Sequence, residues 1–307
     1  MQPRRGQRRR ALPAADGKRI ECGRTLGGGH GQEVNAVRRK VREYIDTVSA
    51  RSPSSRLFTR FFQPLSLPRL PGLVSQCAVC RSWPARQVCQ PCQARFAPVQ
   101  HRCAGCALTL PADLSMGLRS GPRACGSCVR QRPPLDGALA AVPYAYPWST
   151  LIAGYKFGAQ PGWAAFFADM LLQTPGVLQV LEDLQASDWI VPVPLSSARL
   201  QKRGFNQAWE LASALARQSR TTGRADARLL LRVRDTRPQS ELKREARLAN
   251  VEGAFLVDPL RVGELEGRRV LLVDDVMTSG ASLFTAARAL REAGAAHITA
   301  VVLARTE

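Results

Sequence analysis

Short apolar runs alternate with amphipathic segments from residue 188 to the end of the chain. The runs at residues 270–273 and 298–303 are almost entirely apolar, as strands buried on both faces of a parallel sheet must be. Helical periodicity appears at residues 207–217 and 279–293. Alternating strands and helices predict an α/β fold, in which a parallel sheet is covered by helices on both faces.

Three parts of the chain differ in composition. Further strands are predicted at residues 138–146, 189–193 and 229–233, and a helical region interrupted near residues 158–162 is predicted over residues 150–184. The Arg132-Pro133-Pro134 sequence ends regular structure, because proline continues neither a helix nor an inner strand. We therefore expect a basic extension at residues 1–75, a cysteine-rich module at residues 76–132 and the α/β domain at residues 138–307.

The first 75 residues carry much of the positive charge, with 16 of the 44 Lys and Arg residues against 5 of the 24 Asp and Glu residues. Three interpretations stay open: a disordered segment, a basic amphipathic helix at residues 41–62, or unselected sequence upstream of the true start. The net charge of +20 favours anionic partners such as phosphate esters or nucleic acids, although charge alone specifies neither fold nor chemistry.

No apolar run approaches the roughly 18 residues that a membrane-spanning helix needs. The basic start, which includes Arg8, Arg9 and Arg10, is not followed by the apolar core of a signal peptide. We therefore expect a cytoplasmic protein without a transmembrane segment. Disulfides are rare in such a reducing compartment, so the cysteines are expected to be reduced.

Eight of the nine cysteines fall into four Cys-x-x-Cys pairs. These pairs are Cys77 and Cys80, Cys89 and Cys92, Cys103 and Cys106, and Cys125 and Cys128. Two pairs place four thiolates around one ion, which predicts two structural Zn²⁺ sites rather than free or redox-active thiols. Sequential pairing is favoured over a crossed pairing of the first with the third. His101 is expected to be a surface residue, and Cys22 has no partner for a metal site.

Residues 270–282 combine an apolar strand, two carboxylates and a turn rich in small hydroxyl residues. The strand would deliver Asp274 and Asp275 to the carboxyl edge of the sheet, where open α/β folds bind ligands. The turn precedes a helix, whose free N–H groups and positive dipole end favour a phosphate. We name this turn the phosphate turn: it consists of Thr278, Ser279, Gly280, Ala281 and Ser282. Acids beside a phosphate suit a sugar phosphate, because they can face neutral hydroxyls or a metal ion.

Two other interpretations of this segment compete with a sugar-phosphate site. An ordinary inner strand could end in a polar turn, or the strand could carry the metal-binding acid of a Walker B motif. The Walker interpretation lacks its phosphate loop, because no Gly-x-x-x-x-Gly-Lys-Ser/Thr sequence occurs in the chain.

The same segment closely resembles the phosphoribosyl pyrophosphate signature of type I phosphoribosyltransferases. This resemblance implies that Asp274 and Asp275 hold the ribose hydroxyls and that the phosphate turn holds the 5-phosphate. It also implies that Mg²⁺ binds together with phosphoribosyl pyrophosphate and that Asp275 stabilises the positive charge developing at the anomeric carbon.

A second apolar strand, at residues 189–193, runs into a loop of small residues followed by cations. In the enzymes that the chain resembles, the corresponding loop contacts the pyrophosphate. The resemblance gives this role to Leu195, Ser196, Ser197 and Arg199, with Arg203 as a nearby cation. A solvated basic turn before a helix is the alternative.

The amino-acid sequence of this region is similar to that of the ComF family rather than to those of the salvage phosphoribosyltransferases. The similar sequences are Val-Pro-Leu at residues 193–195, Arg-Gly-Phe-Asn-Gln at residues 203–207 and the paired cysteines. The resemblance implies a mobile loop over residues 234–255 in which Gln239 and Arg247 close over the site. It also implies a binding role for Lys156 in a hood above the acceptor. A charged surface helix and a solvated lysine are the alternatives.

The ComF resemblance, which covers residues 77–306, implies a phosphoribosyltransferase-like protein, that is, a pentosyl-transferring glycosyltransferase. The implied biological role is DNA uptake during natural competence or the use of imported nucleotides. The alternative is a non-catalytic factor that keeps the fold as a sensor or relic. Such a factor would bind single-stranded DNA through its basic cysteine module and act with the competence machinery.

Overall fold

The computed structural model describes residues 75–83, 85–111, 123–234 and 253–307. The basic extension up to residue 74, with its possible helix at residues 41–62 and Cys22, lies outside the described residues. Within the described ranges, no helix has the length and hydrophobicity needed to cross a membrane.

A five-stranded parallel sheet forms the centre of the described chain. In chain order the strands are β1 (Gly137–Pro143), β2 (Trp189–Pro192), β3 (Arg224–Ala225), β4 (Leu230–Arg232), β5 (Phe255–Val257), β6 (Arg269–Met277) and β7 (His297–Arg305). The sheet order is β1-β7-β6-β2-β3, and all of its neighbouring strands are parallel. The predicted α/β fold with a parallel sheet is confirmed.

Two strand predictions need correction. The apolar strand was expected to end before the acids, but β6 continues through Asp274 and Asp275 to Met277. It does so because β7 pairs with it along this length, with Asp274 opposite Val302. Residues 229–233 were expected to join the parallel sheet. Instead, β4 pairs antiparallel with β5 in a separate ribbon, because the chain returns directly beside it.

Helices cover both faces of the sheet, as predicted. They are α1 (Gln90–Phe96), α2 (Gly126–Arg130), α3 (Trp148–Phe157), α4 (Trp163–Leu172), α5 (Val177–Glu182), α6 (Ser197–Arg203), α7 (Gln207–Ser219) and α8 (Ala281–Glu292). Val270 and Leu272 of β6 lie in the core with α8 and the β4–β5 ribbon, whereas Leu271 and Val273 lie in the core with α4 and α7. This alternation is what a central strand requires, because successive side chains point to opposite faces.

The cysteine-rich region packs against both faces of the sheet. It contains two sites, the first formed by Cys77, Cys80, Cys89 and Cys92 and the second by Cys103, Cys106, Cys125 and Cys128. The first site belongs to the core with α4 and α7, and the indole N–H of Trp148 donates to the Phe96 carbonyl nearby (2.6 Å). The second site belongs to the α8 core, and Ala138 of the edge strand β1 donates its N–H to the Ala104 carbonyl (2.7 Å). The two sites therefore lie on opposite sides of this edge of the sheet.

Helix α7 is fixed to the end of β2 by its capping residue. The Asn206 side chain accepts a hydrogen bond from the Ala208 N–H (3.0 Å) and donates to the Val193 carbonyl (3.2 Å). Asparagine is a favoured residue at this position because it satisfies an N–H group that the helix leaves free. The start of α7 therefore lies beside the carboxyl end of the sheet.

Candidate functional site

A cleft of about 570 Å³ opens at the carboxyl ends of β2 and β6. Its walls come from the end of α3, from the loop after β2 with helix α6, from the end of β4, and from β6 with the start of α8. The predicted site residues that line it are Lys156, Leu195, Arg199, Arg203, Asp274, Asp275, Thr278 and Ser282. The structure therefore brings together predicted site residues from three separate segments of the chain, at residue 156, residues 195–203 and residues 274–282.

The two acids lie next to each other near the end of β6. Asp275 is 7% exposed, and the Asp274 carboxylate accepts a hydrogen bond from the Asp275 N–H (2.8 Å). Burial, together with the adjacent charge of Asp275, raises the pKa of Asp274 to about 7. The raised pKa favours the protonated form of Asp274 more than in an ordinary aspartate, and a protonated carboxyl can donate a hydrogen bond to a hydroxyl group.

Lys156 supplies a counter-charge to the acid pair. Its Nζ lies 2.8 Å from Asp275 Oδ1, and the two side chains are only 16% and 10% exposed. Helix α3 is held in place by α7: the Tyr155 hydroxyl donates to the Gln207 carbonyl (2.7 Å), and the Gln207 side chain donates to the Lys156 carbonyl (3.4 Å). Lys156 thus faces the acids and is not a solvated surface lysine.

The phosphate turn has two sides. Thr278 and Ser282 line the cleft, whereas Ser279 lines a second pocket, of about 370 Å³, beside the second cysteine site. Gly280 adopts φ +81° at the start of α8, and a Cβ atom there would lie 2.6 Å from the Phe284 ring. Only glycine fits this conformation in this space. Gly280 and Ala281 therefore contribute backbone rather than side chains.

The loop after β2 is shorter than expected because helix α6 begins within it, at Ser197. Leu195 and Arg199 line the cleft. Ser196, 4% exposed, occupies the N-cap position of the helix without a capping hydrogen bond from its side chain, and neither it nor Ser197 is among the residues that line the cleft. Ser196 and Ser197 are therefore not part of the cleft wall in this structure, and their contact with pyrophosphate stays a prediction.

Arg203 joins helix α6 to the end of α3. Its guanidinium stacks over the Phe157 ring at 4.9 Å and donates to the Gln207 side chain (2.9 Å). Because Gln207 also holds the backbone at Lys156, Arg203 and Lys156 are linked through one side chain. The positive charge of Arg203 remains on the cleft wall.

Each cysteine site has the dimensions of a tetrahedral metal centre. The four sulfurs of each lie within 4.8 Å of one another, with Cys80 and Cys89 Sγ 3.6 Å apart and Cys106 and Cys125 Sγ 3.7 Å apart. A tetrahedral ion with metal–sulfur bonds of about 2.3 Å separates its sulfurs by about 3.8 Å. Both clusters could therefore hold a structural metal ion, and their grouping is the favoured sequential one.

Backbone N–H groups are directed at the sulfurs of these sites. Val79 and Cys89 donate to Cys77 Sγ (3.4 and 3.3 Å), and Cys125 donates to Cys103 Sγ (3.2 Å). Burial raises the pKa of the Cys77 thiol, but the N–H donors outweigh burial and lower this pKa to about 6. At Cys77 this environment favours the thiolate, which is the form that binds a metal.

Comparison with known proteins identifies the family. Residues 202–307 match the sequence model of the phosphoribosyl transferase domain. DNA utilization protein YhgH of Salmonella typhimurium is 34% identical over 182 residues, covering 59% of this chain and 78% of that protein. Competence protein F of Haemophilus influenzae is 33% identical over 186 residues, also covering 59% of this chain and 78% of that protein. The chain belongs to the ComF family.

A shorter match supports the same assignment. Competence protein ComFC of Bacillus subtilis is 38% identical over 118 residues, covering 38% of this chain and 44% of that protein. The predicted ComF family and phosphoribosyltransferase-like domain are thereby confirmed, and the two four-cysteine clusters agree with the expected zinc ribbon arrangement.

Several residues that line the cleft were not among the predicted site residues of this ComF-family chain, and Arg232, Asn206 and Tyr144 are three of them. Arg232 is 8% exposed and packs over the Phe255 ring at 5.3 Å. It interrupts an apolar run at residues 229–233, and a charged residue at a buried position could have marked it. Asn206 lies within the Arg-Gly-Phe-Asn-Gln sequence but had no assigned role.

Gln239 and Arg247 lie outside the described residues, so their closure over the site of this ComF-family protein stays a prediction. The strands that bracket their segment are described. Arg232 at the end of β4 pairs with Phe255 at the start of β5 and lines the cleft. The segment between them therefore leaves and rejoins the fold beside the cleft.

Proposed function

We propose that this ComF-family protein binds phosphoribosyl pyrophosphate with Mg²⁺ in the cleft at the end of β6 and acts as a phosphoribosyltransferase. The observation that carries the proposal is the convergence of the acid pair, the phosphate turn and the cationic loop on one cleft. Its volume of about 570 Å³ lies in the usual range for small-molecule sites.

The ribose and its 5-phosphate would occupy the β6 side of the cleft. Asp274 and Asp275 would bind the ribose hydroxyls, and Thr278 and Ser282 would face the 5-phosphate. The free N–H groups and the positive dipole end of the 12-residue helix α8 add favourable interactions for this anion. The raised pKa of Asp274 supports this assignment, because it reduces the repulsion between the acid pair and the phosphate.

The pyrophosphate would lie against the cations of the opposite wall. Arg199, Arg203 and Arg232 line this part of the cleft and suit a polyanion. Mg²⁺ prefers oxygen ligands such as a carboxylate or phosphate oxygens, and the ion would neutralise charge on the leaving pyrophosphate. Asp275 would stabilise positive charge at the anomeric carbon during its loss.

Binding of phosphoribosyl pyrophosphate tests this proposal directly. Calorimetry with Mg²⁺ should give saturable binding to the wild type, and Asp275→Asn should weaken it by about tenfold or more, the loss expected for a charged hydrogen-bonding group. Asp183→Asn removes an exposed charge at the residue that follows α5 and should leave binding unchanged. Absence of binding to the wild type would refute the proposal.

Catalysis needs a separate measurement. Labelled phosphoribosyl pyrophosphate should release pyrophosphate when a nucleobase is added, and Asp275→Asn should abolish the release. If the wild type binds the ligand but releases no pyrophosphate with any common base, the site acts as a sensor rather than as an enzyme.

A binding role for single-stranded DNA is the second candidate function, and it rests on surface features of the first cysteine region. Arg95 stacks over the Phe96 ring at 5.2 Å, and Phe96 contacts Tyr146, which is 65% exposed, at 5.9 Å between ring centroids. Exposed aromatic rings beside cations suit single-stranded nucleic acid. Relatives are named for DNA utilization and competence, which supports a partner in DNA uptake.

Tyr146→Ala separates the two functions. It should weaken binding of a single-stranded oligonucleotide, with a steep salt dependence in the wild type, and leave phosphoribosyl pyrophosphate binding unchanged. Asp275→Asn should have the opposite pattern. If Tyr146→Ala binds DNA like the wild type, this surface is not the DNA site.

We also propose that the metal of both cysteine sites is Zn²⁺, because four thiolates at these distances favour it. Purified protein should contain two equivalents of zinc per chain by mass spectrometry, and Co²⁺ substitution should give the absorption bands of tetrahedral thiolate sites. Reduced sites of this kind support a cytoplasmic location. Iron in place of zinc would contradict the assignment.

A further inference from the structure

One arginine joins the phosphate turn to the second cysteine site. Arg305, the last residue of β7, is 7% exposed. Its Nη1 donates to the carbonyls of Thr278 (2.6 Å) and Met277 (3.3 Å), and its Nε donates to the carbonyl of Cys106 (2.9 Å). A single side chain therefore connects residues that lie far apart in the sequence.

The guanidinium of Arg305 forms hydrogen bonds with backbone carbonyls rather than an ion pair with a carboxylate. Within the described ranges, no acidic side chain forms an ion pair with it. Besides the three carbonyls above, it donates to the carbonyl of Thr306. A buried cation is costly unless it is fully hydrogen-bonded, so this arrangement holds the surrounding main chain in one geometry.

The hydrogen bond from Arg305 to the Thr278 carbonyl fixes the orientation of a peptide group in the phosphate turn. In a trans peptide the carbonyl oxygen and the next N–H point in opposite directions. Because Arg305 holds the Thr278 carbonyl toward the cysteine site, the N–H of Ser279 points away from that site. The Ser279 N–H belongs to the phosphate turn that leads into α8, where N–H groups would bind a phosphate, so the direction of this N–H depends on Arg305.

The residues that follow β7 strengthen the link. The Glu307 carboxylate accepts hydrogen bonds from the Thr109 N–H (3.1 Å) and hydroxyl (2.6 Å), and it forms an ion pair with Arg102 (3.4 Å). Arg102 in turn donates to the Ala107 carbonyl (3.0 Å). The loop of the second cysteine site is thus tied both to Arg305 and to Glu307, two residues after it.

Within the part of the chain that the structure describes, no comparable hydrogen bonds join the first cysteine site to the phosphate turn. Its core residues pack with α4 and α7, on the face of the sheet opposite to α8. The second pocket lies behind the phosphate turn. The cysteines that line it, Cys106, Cys125 and Cys128, all belong to the second site. The two cysteine sites therefore differ in what they support.

We propose that Arg305 is a positioning residue that holds the phosphate turn in its binding geometry and makes that geometry depend on metal at the second cysteine site. This inference rests on the proposed binding of a phosphoribosyl ligand and adds that one of the two metal sites sets the affinity for its 5-phosphate. The pyrophosphate side of the cleft does not depend on this contact.

Two probes separate positioning from general destabilisation. Ribose 5-phosphate reports on the phosphate turn, and Mg²⁺-pyrophosphate reports on the loop after β2. Arg305→Met should weaken ribose 5-phosphate binding by about tenfold or more, as expected for the loss of charge-assisted hydrogen bonds, and change pyrophosphate binding less than about twofold. Arg305→Lys keeps the charge but cannot span Thr278 and Cys106, so it should show a smaller loss with the same selectivity.

Arg291→Met is the matched control. Arg291 donates to the carbonyls of Ala295 (3.1 Å) and Ala296 (2.6 Å) and to Asp136 (2.6 Å), before the start of β7. Arg291 therefore also holds backbone carbonyls beside the sheet, but it does so at the start of β7, whereas Arg305 lies at its end. This variant should bind both probes like the wild type, even if it is less stable.

Metal dependence is tested with one cysteine variant per site. Cys128→Ser should lower ribose 5-phosphate affinity several-fold, whereas Cys80→Ser at the first site should not, with zinc content measured in each protein. Wild-type affinity for ribose 5-phosphate in Arg305→Met, or equal losses in the two cysteine variants, would overturn the positioning role. A wild type that binds neither ribose 5-phosphate nor phosphoribosyl pyrophosphate would instead overturn the proposed function.

Discussion

Replacing Lys156 by methionine removes the ion-pair partner of Asp275 while preserving most of the buried volume. The ion pair is short, at 2.8 Å, and its side chains are 16% and 10% exposed, so it is closer to a buried pair than to a surface pair. Removing one partner of a buried pair costs about 3–5 kcal/mol, and an exposed pair contributes less than about 1 kcal/mol. We therefore expect Lys156→Met to lower the free energy of unfolding by about 2–3 kcal/mol.

The loss should be visible in thermal unfolding at pH 7.5 with zinc present. For a domain of this size, 1 kcal/mol corresponds to about 2–4 °C in Tm, so the expected decrease is about 4–12 °C. High salt should reduce the effect only slightly, because buried charges are poorly screened. Asp275→Asn combined with Lys156→Met should restore part of the stability, since no unpaired carboxylate remains.

Lys202→Met is the control, because Lys202 lines the same cleft but is exposed. It should change Tm by less than about 2 °C, as surface substitutions usually do. Equal Tm values for Lys156→Met and Lys202→Met would refute the reasoning, because the 2.8 Å contact would then contribute nothing to stability.

Three further predictions concern the same region and the sheet below it. Asp274 has a pKa raised to about 7 from 3.8, so the folded state binds its proton more tightly than the unfolded chain, and stability falls as pH rises between these values. Asp274→Asn should therefore be more stable than the wild type at pH 8, by about 1–3 kcal/mol in urea unfolding, and should lose this advantage near pH 4. Gly280→Ala should weaken phosphoribosyl pyrophosphate binding by about tenfold or more in calorimetry, because φ is +81° and the new Cβ would meet Phe284; unchanged affinity would show that the turn is not at the ligand. Asp188, 5% exposed, accepts hydrogen bonds from the N–H groups of Gln185 (2.8 Å) and Arg269 (2.9 Å), so Asp188→Ala should cost about 2–3 kcal/mol in urea unfolding and leave ligand affinity intact.

The parts of the site that lie close together in the sequence were predictable. The acid pair, the glycine turn and the helix after it form one continuous segment, and their chemistry follows from neighbouring residue types. The four Cys-x-x-Cys pairs are likewise local patterns. The end of β6 was missed because pairing with β7, rather than residue type, extends that strand through the acids. The start of α6 at Ser197 was missed because small polar residues suit both a loop and the first turn of a helix.

Contacts between distant segments could not be read from residue types. Arg232 and Tyr144 come from a short ribbon strand and from the end of β1, and neither has a local pattern that indicates a cleft. The structure also shows that the two cysteine sites pack on opposite faces of the sheet, although they follow each other in the sequence. No periodic sequence pattern predicts either arrangement, because shape and topology determine which segments pack together.

The sequence by itself determined the α/β class, the segment that joins the acid pair to the glycine turn, and the two four-cysteine clusters, because each depends on periodicity or spacing within a few residues. Only the tertiary structure decided that Lys156 faces Asp275 and that Arg305 joins the phosphate turn to Cys106. These contacts depend on the order and register of the strands, which bring together side chains separated by more than 100 positions. Long-range pairing of this kind is a property of the folded chain as a whole, and no local pattern encodes it.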